Sequence, residues 1–167
     1  MVSTTPKSVF RKLAIVCLAA SGAALILMIT TAVVFAETQK MSANKAHFAA
    51  LGGNLIILDI RSPGEWSETG VAKGAWPVTM HDTSFGTNLQ NIVKRYSDRP
   101  LALICATGGR SNHVVSVLEQ NGLSGVIDIS EGMFGNGDAP GWVARGLPIV
   151  DVTVARAEHT ASILKTD

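Results

Sequence analysis

The stretch of this sequence best suited to chemistry is Cys105-Ala106-Thr107-Gly108-Gly109-Arg110, a thiol followed by four small or polar residues and an arginine. A free thiol of pKa ~8.5 is only about 3% thiolate at pH 7, so a nucleophilic cysteine needs surroundings that favour an anion on sulfur. Moving such a thiol to about 6.5 takes roughly 2.7 kcal/mol, of which a helix N-terminus supplies about 0.3–2 kcal/mol. The backbone amides of Ala106, Thr107, Gly108, Gly109 and Arg110 could supply more by curling into an anion nest. Gly108 and Gly109 permit the turns this requires, positive φ included. Arg110 adds a permanent charge and a forked donor. A single cysteine at a strand end is often just a small buried hydrophobe. The composition of this loop is what argues for more.

The elements around the loop should place it where open α/β sheets carry their chemistry. Leu101 to Ile104 is a short apolar run after the Arg99-Pro100 breaker and reads as a strand. Ser111 to Asn121 reads as a helix, with Val114, Val115, Val117 and Leu118 at helical spacing and Gly122 as a stop. Cys105 then lies at the C-terminal end of a buried strand, facing a helix N-terminus. Leu55 to Ile60 is a second fully buried strand, ending in Asp59-Ile60-Arg61, where Asp59 and Arg61 read as a structural pair. Trp76 to Gly86 suggests a short strand and a loop, with His81 and Asp82 as a surface pair rather than a catalytic dyad. Asn88 to Tyr96 has the pattern of an amphipathic helix, and Gly125 to Ile129 that of another strand. Residues 45–51 suggest a short helix in which His47 is a partly exposed helix residue rather than a ligand. The glycines at 132, 135 and 137 are not a nucleotide loop, because Pro140 interrupts before any helix. About four short strands alternating with helices predict an α/β fold with a small, open, mainly parallel sheet and helices on both faces.

The loop resembles that of the rhodanese-like sulfurtransferase family, whose pattern Cys-x-x-Gly-x-Arg is met by Cys105, Gly108 and Arg110. The likeness extends over about 48–150, through the Asp-x-Arg strand end at Asp59 and Arg61, Trp66, Gly74-Ala75, Glu131-Gly132, Trp142 and Gly146-Leu147-Pro148. Two departures are visible: the family's frequent Gly-His-Ile is Gly70-Val71-Ala72, and Met133 stands where many relatives have a second glycine. The resemblance implies a persulfide on Cys105, with the loop amides and Arg110 binding an anionic donor such as thiosulfate and a thiol or cyanide as acceptor. It implies no cofactor and no metal. Two other readings stand beside it. One is a membrane-tethered persulfide carrier or binding module without turnover. The other is a cysteine phosphatase or arsenate reductase of the same fold, against which Cys105 to Arg110 is Cys-x4-Arg and not the longer Cys-x5-Arg.

Charge and hydropathy bound the setting. The chain has 167 residues and a formal net charge of +1, with no basic footprint for nucleic acid. Lys7, Arg11 and Lys12 precede twenty-four residues without a charge, Leu13 to Ala36. As a helix that run would span about 36 Å, against a hydrocarbon core of ~30 Å. The basic flank predicts export, with the remainder on the periplasmic, extracytoplasmic side. Residues 1–36 are expected to be an uncleaved membrane anchor contacting the bilayer through 13–36, the alternative being a signal peptide cleaved after Ala36. Residues 37–47 read as a linker, 48–150 as the domain, and 151–167 as a C-terminal tail without assigned function. Cys17 falls in the apolar run, so the globular part has a single thiol and no internal disulfide. A protein acceptor is compatible with all of this.

Overall fold

The computed structural model describes residues 38–164. In chain order the elements are β1 (Lys40–Met41), α1 (Ala43–Leu51), β2 (Ile56–Asp59), α2 (Pro63–Thr69), β3 (Val71–Ala72), β4 (Ala75–Pro77), α3 (Phe85–Arg95), β5 (Leu101–Ile104), α4 (Gly109–Gln120), β6 (Val126–Ile129), α5 (Gly141–Ala144), β7 (Ile149–Val150) and α6 (Val152–Leu164). Five strands form one sheet in the order β1-β6-β5-β2-β4, with every pairing parallel. β3 and β7 form a separate antiparallel ribbon, Val71 opposite Val150 and Ala72 opposite Ile149.

The three central strands are buried at every position, which is why they read as unbroken apolar runs rather than alternating ones. Successive side chains still point to opposite faces. Ile57, Ala102, Ile104, Ile127 and Ile129 enter a core shared with Ala43 and Ala46 of α1, Trp66 of α2, Trp142 of α5 and Ala155 of α6. Ile56, Leu58, Leu101, Leu103 and Val126 enter a second core with Leu89 of α3 and Val114 and Val115 of α4. Helices therefore cover both faces, and the C-terminal ends of β2, β5 and β6 open onto one edge.

Several expected boundaries move. Part of the supposed linker at 37–47 belongs to the fold: Lys40–Met41 adds an edge strand to β6, and Ser42 caps α1 by accepting the Lys45 N–H at 3.4 Å. Its apolar contribution is made by Ala43 and Ala46, both fully buried, which are too small to produce a hydrophobic pattern. His47, expected to be partly exposed, is instead buried against Trp142. The tail at 151–167 likewise holds α6, which lies on β4, buries Ala155 and stacks His159 on Trp76 at 4.5 Å. The helix after the cysteine starts at Gly109 rather than Ser111, because Gly108 in the left-handed region already turns the chain into it. The expected count of about four strands omitted the two-residue strands, which are too short to show a period. The apolar run 13–36 and its anchor or signal role lie outside the described residues. Among the described residues no helix is long and apolar enough to cross a membrane.

Candidate active site

Cys105 follows the last residue of β5 and is 1% exposed. Its sulfur receives the Ser111 backbone N–H at 3.5 Å and the Ser111 hydroxyl at 3.4 Å. That hydroxyl also lies 3.1 Å from the Gly108 carbonyl oxygen. Among the described residues, the N–H groups of Ala106, Thr107, Gly108, Gly109 and Arg110 donate to no protein acceptor. Five free donors and a helix N-terminus thus follow directly on the strand end, a setting that can favour a negative charge there.

The loop's shape is imposed by its neighbour, the turn after β6. Met133 N–H donates to the Cys105 carbonyl at 2.9 Å, and Phe134 N–H to the Ala106 carbonyl at 2.8 Å. The two backbones lie so close that only glycine fits at the contacts. Gly108 has φ +85° and a Cβ there would overlap the Ser130 carbonyl. Gly132 has φ +61° and a Cβ there would come within 2.6 Å of the Ala106 carbonyl oxygen. Gly109, beside Gly108, has open space at its Cβ position. The two adjacent glycines have different jobs.

Arg110 reaches back to α2. Its Nη1 donates to Glu65 Oε2 at 2.9 Å and its Nη2 to Glu65 Oε1 at 2.5 Å, a forked pair about 30% exposed on each side. The Arg110 hydrogen bonds are the main reason that the Glu65 carboxyl falls from 4.5 to about 2. The same pairing, with smaller contributions from Cys105 and Asp59, raises Arg110 above its ordinary value. Glu65 is itself fixed by a capping box, with Ser62 N–H donating to Oε2 at 3.0 Å and Ser62 Oγ accepting the Glu65 N–H at 3.3 Å.

Asp59 and Arg61 form a second forked pair, fully buried, at the end of β2. Arg61 Nε lies 3.0 and 3.1 Å from the two Asp59 oxygens, and Nη2 donates to Oδ2 at 2.7 Å. The remaining donors hold the end of α2, through the Thr69 hydroxyl at 2.8 Å and the Gly70 carbonyl at 2.7 Å. Arg61 also sits 5.7 Å from the Phe134 ring centroid. The pair adjoins the loop without touching the sulfur: Asp59 is in register with Ile104, and Ile60 N–H donates to the Ile104 carbonyl.

Of three acidic residues near the loop, Glu65 and Asp128 were not singled out by sequence, and Glu131 was noted only as part of the family likeness. Glu65 was passed over, although Ser62-Pro63-Gly64-Glu65 carries a readable capping box. Asp128 of β6 is 1% exposed, its Oδ1 has no hydrogen-bond partner, and burial raises its pKa, opposed by the Ser111 hydroxyl and Lys40. Glu131 is buried and braces the turn after β6, accepting from Ala43 N–H at 2.6 Å, Gly141 N–H at 3.0 Å and Arg145 Nε at 2.7 Å. His81 and Asp82 are exposed, and the Asp82 carboxylate takes the Ser84 N–H and hydroxyl at the start of α3. Among the described residues no three His, Cys, Asp or Glu side chains gather to hold a metal ion.

A buried parallel sheet with a cysteine loop between a central strand and a helix defines the class of domain, and comparison with known proteins gives the family. The Rhodanese-like domain family matches residues 31–136, and this chain belongs to it. An uncharacterized protein of Rickettsia prowazekii is 25% identical over 117 residues, covering 66% of this chain and 95% of that protein. The crystal structure of Rv0390 from M. tuberculosis shares the fold at 22% identity and TM-score 0.50, covering 66% of this chain and 96% of that one. The solution structure of the polysulfide-sulfur transferase homodimer from Wolinella succinogenes does so at 19% identity and TM-score 0.52, covering 68% and 79%.

Proposed function

We propose that this protein is a sulfurtransferase that moves sulfane sulfur from thiosulfate or a related donor to a thiophilic acceptor through a persulfide on Cys105. The observation that carries this reading is the sulfur at a strand end, hydrogen-bonded by Ser111 and followed by five loop amides without acceptors among the described residues. In the first step the Cys105 thiolate attacks the outer sulfur of the donor. With thiosulfate, the S–S bond breaks, sulfite leaves with the bonding pair, and Cys105 holds a persulfide anion. In the second step cyanide or a thiolate attacks the terminal sulfur and the Cys105 thiolate returns. The loop amides serve both anions, and Arg110 lends its field to the same place.

We further read residues 13–36 as the means by which the domain is exported and tethered outside the cytoplasm. The support is the charge-free run behind Lys7, Arg11 and Lys12.

The test of the activity is intact mass and peptide mapping of the full chain after exposure to thiosulfate and, in parallel, to an alkyl persulfide. One added sulfur on the Cys105 peptide, absent from Cys105→Ser, is expected. An adduct that survives in the serine variant, or none from either donor in the native chain, refutes the assignment.

A further inference from the structure

We propose that Glu65 sets the charge of the sulfur donor: by holding Arg110 in a forked ion pair, it makes the Cys105 loop select sulfane donors bearing at most one negative charge over dianionic thiosulfate. This rests on the sulfurtransferase reading and concerns only which donor the site prefers.

The side-chain charges beside the loop cancel in pairs. Two guanidiniums adjoin it, each matched by a carboxylate; Arg145 is likewise matched by Glu131, and buried Asp128 adds no cation. Arg61 is forked onto Asp59 and uses its other donors on Thr69 and Gly70. Arg110 is forked onto Glu65 through both terminal nitrogens. With Glu65 held at about 2, the pair is fully ionised across the neutral range, so Arg110 offers its field with a compensating negative charge attached. The formal charge of these four groups is zero. What remains to bind an anion is the set of loop amides, which are dipoles and carry no net charge.

Now consider the two loading reactions. Attack of the Cys105 thiolate on thiosulfate brings three negative charges together and releases a persulfide anion and a sulfite dianion. Attack on a protonated persulfide, R–S–SH, involves one: the S–S bond breaks, R–S⁻ leaves, and the proton remains on the new Cys105 persulfide. Atoms and charge balance in both, but only the first needs a net cation at the site. Like charges brought together in a partly desolvated cleft are strongly disfavoured. A free Arg110 would offset that repulsion; a paired one does so weakly.

The Glu65→Gln variant isolates the effect, because glutamine keeps the reciprocal cap with Ser62 while removing the charge. The experiment measures loading of the full-length chain from thiosulfate and from N-acetylcysteamine persulfide, whose persulfide is its one acidic group and which therefore carries at most one negative charge, as kcat/KM with cyanide as acceptor, at several salt concentrations. In the native protein the persulfide should be the better donor, and the thiosulfate rate should rise with salt as repulsion is screened. In Glu65→Gln the ratio of thiosulfate to persulfide kcat/KM should rise about tenfold. The native salt dependence needs no variant, so it decides the matter even if Glu65→Gln folds poorly. A native thiosulfate rate that falls with salt, or an unchanged ratio in Glu65→Gln, overturns the role of Glu65 and leaves the sulfurtransferase standing. Failure of both donors to place sulfur on Cys105 overturns the activity, and this inference with it.

Discussion

Gly108 and Gly109 are indistinguishable as letters, yet the structure assigns them opposite sensitivities. Gly108→Ala puts a side chain on a residue at φ +85°, which costs roughly 1–2 kcal/mol for an L-residue. Its Cβ would also overlap the Ser130 carbonyl, a backbone atom that cannot rotate away. To make room, the cysteine loop and the turn after β6 must separate, which weakens the hydrogen bonds from Met133 to Cys105 and from Phe134 to Ala106. At about 0.5–1.5 kcal/mol each, these bring the total to roughly 2–5 kcal/mol. For a domain of this size about 1 kcal/mol moves Tm by ~3–5 °C, so a loss of roughly 6–25 °C is expected. Gly109→Ala meets nothing within 4 Å and sits at the first position of α4, so it should be neutral or stabilising by about 0.4–1 kcal/mol. Thermal unfolding followed by circular dichroism gives the stabilities. The second-order rate of Cys105 alkylation by iodoacetamide reports whether the loop still surrounds the sulfur. A Gly108→Ala protein within 2 °C of native would refute the close approach of the two turns. Equal losses in both variants would refute the asymmetry.

Two further outcomes concern titration. The Glu65 carboxyl is lowered in the fold, to about 2, so its stabilising contribution is present above the unfolded value near 4.5 and is lost as pH falls toward 2. Screening at a pair about 30% exposed reduces that contribution to ~1–2 kcal/mol. In urea titrations Glu65→Gln should therefore trail the native protein at pH 7 and approach it near pH 2–3; a constant gap at every pH would contradict the ion pair. Asp128 behaves in the opposite sense, because its folded pKa is raised: its favourable contribution is complete below about 3.8 and disappears as pH rises through the folded value. Asp128→Asn should thus be more stable than native at pH 7, by ~1 kcal/mol, and the advantage should shrink toward pH 4. A destabilised variant at neutral pH would mean that the carboxylate is needed by a neighbour.

The parts of the site that lie on one continuous stretch were legible in the sequence. β5, the cysteine loop and α4 announce themselves through a short apolar run, a small-residue break and a glycine stop, all local signals. The elements β2 and β6 were legible for the same reason, since burial on both faces leaves unbroken apolar letters. What was not legible depends on distance along the chain or on small side chains. Arg110 and Glu65 are 45 residues apart, and no local pattern says that the arginine of one loop is held by the acid of another. Ser111 read as a helix entry, but the helix begins earlier and turns its hydroxyl toward sulfur. β1 was missed because two residues show no period, and α6 because its buried residue is Ala155, and alanine carries little hydrophobic contrast.

The position of Arg110 depends on residues that never approach the sulfur. α2 has seven residues, too few to be stable in water by itself. Three ties hold it in place: the Ser62–Glu65 capping box at its start, Trp66 buried beneath it, and the Arg61 guanidinium on Thr69 and Gly70 at its end. Arg61 can serve in this way because Asp59 takes its charge inside the protein, where an unpaired guanidinium would be very costly. Each link constrains the next, from Asp59 to Arg61, to the end of α2, to Glu65, and to Arg110. A flexible lysine in place of Arg110 could swing between Glu65 and the loop as donors came and went. The forked guanidinium, pinned by an acid that is itself pinned twice, keeps one geometry instead. The field at Cys105 is then a fixed property of the fold, set by a buried ion pair one strand away and already present before any donor arrives.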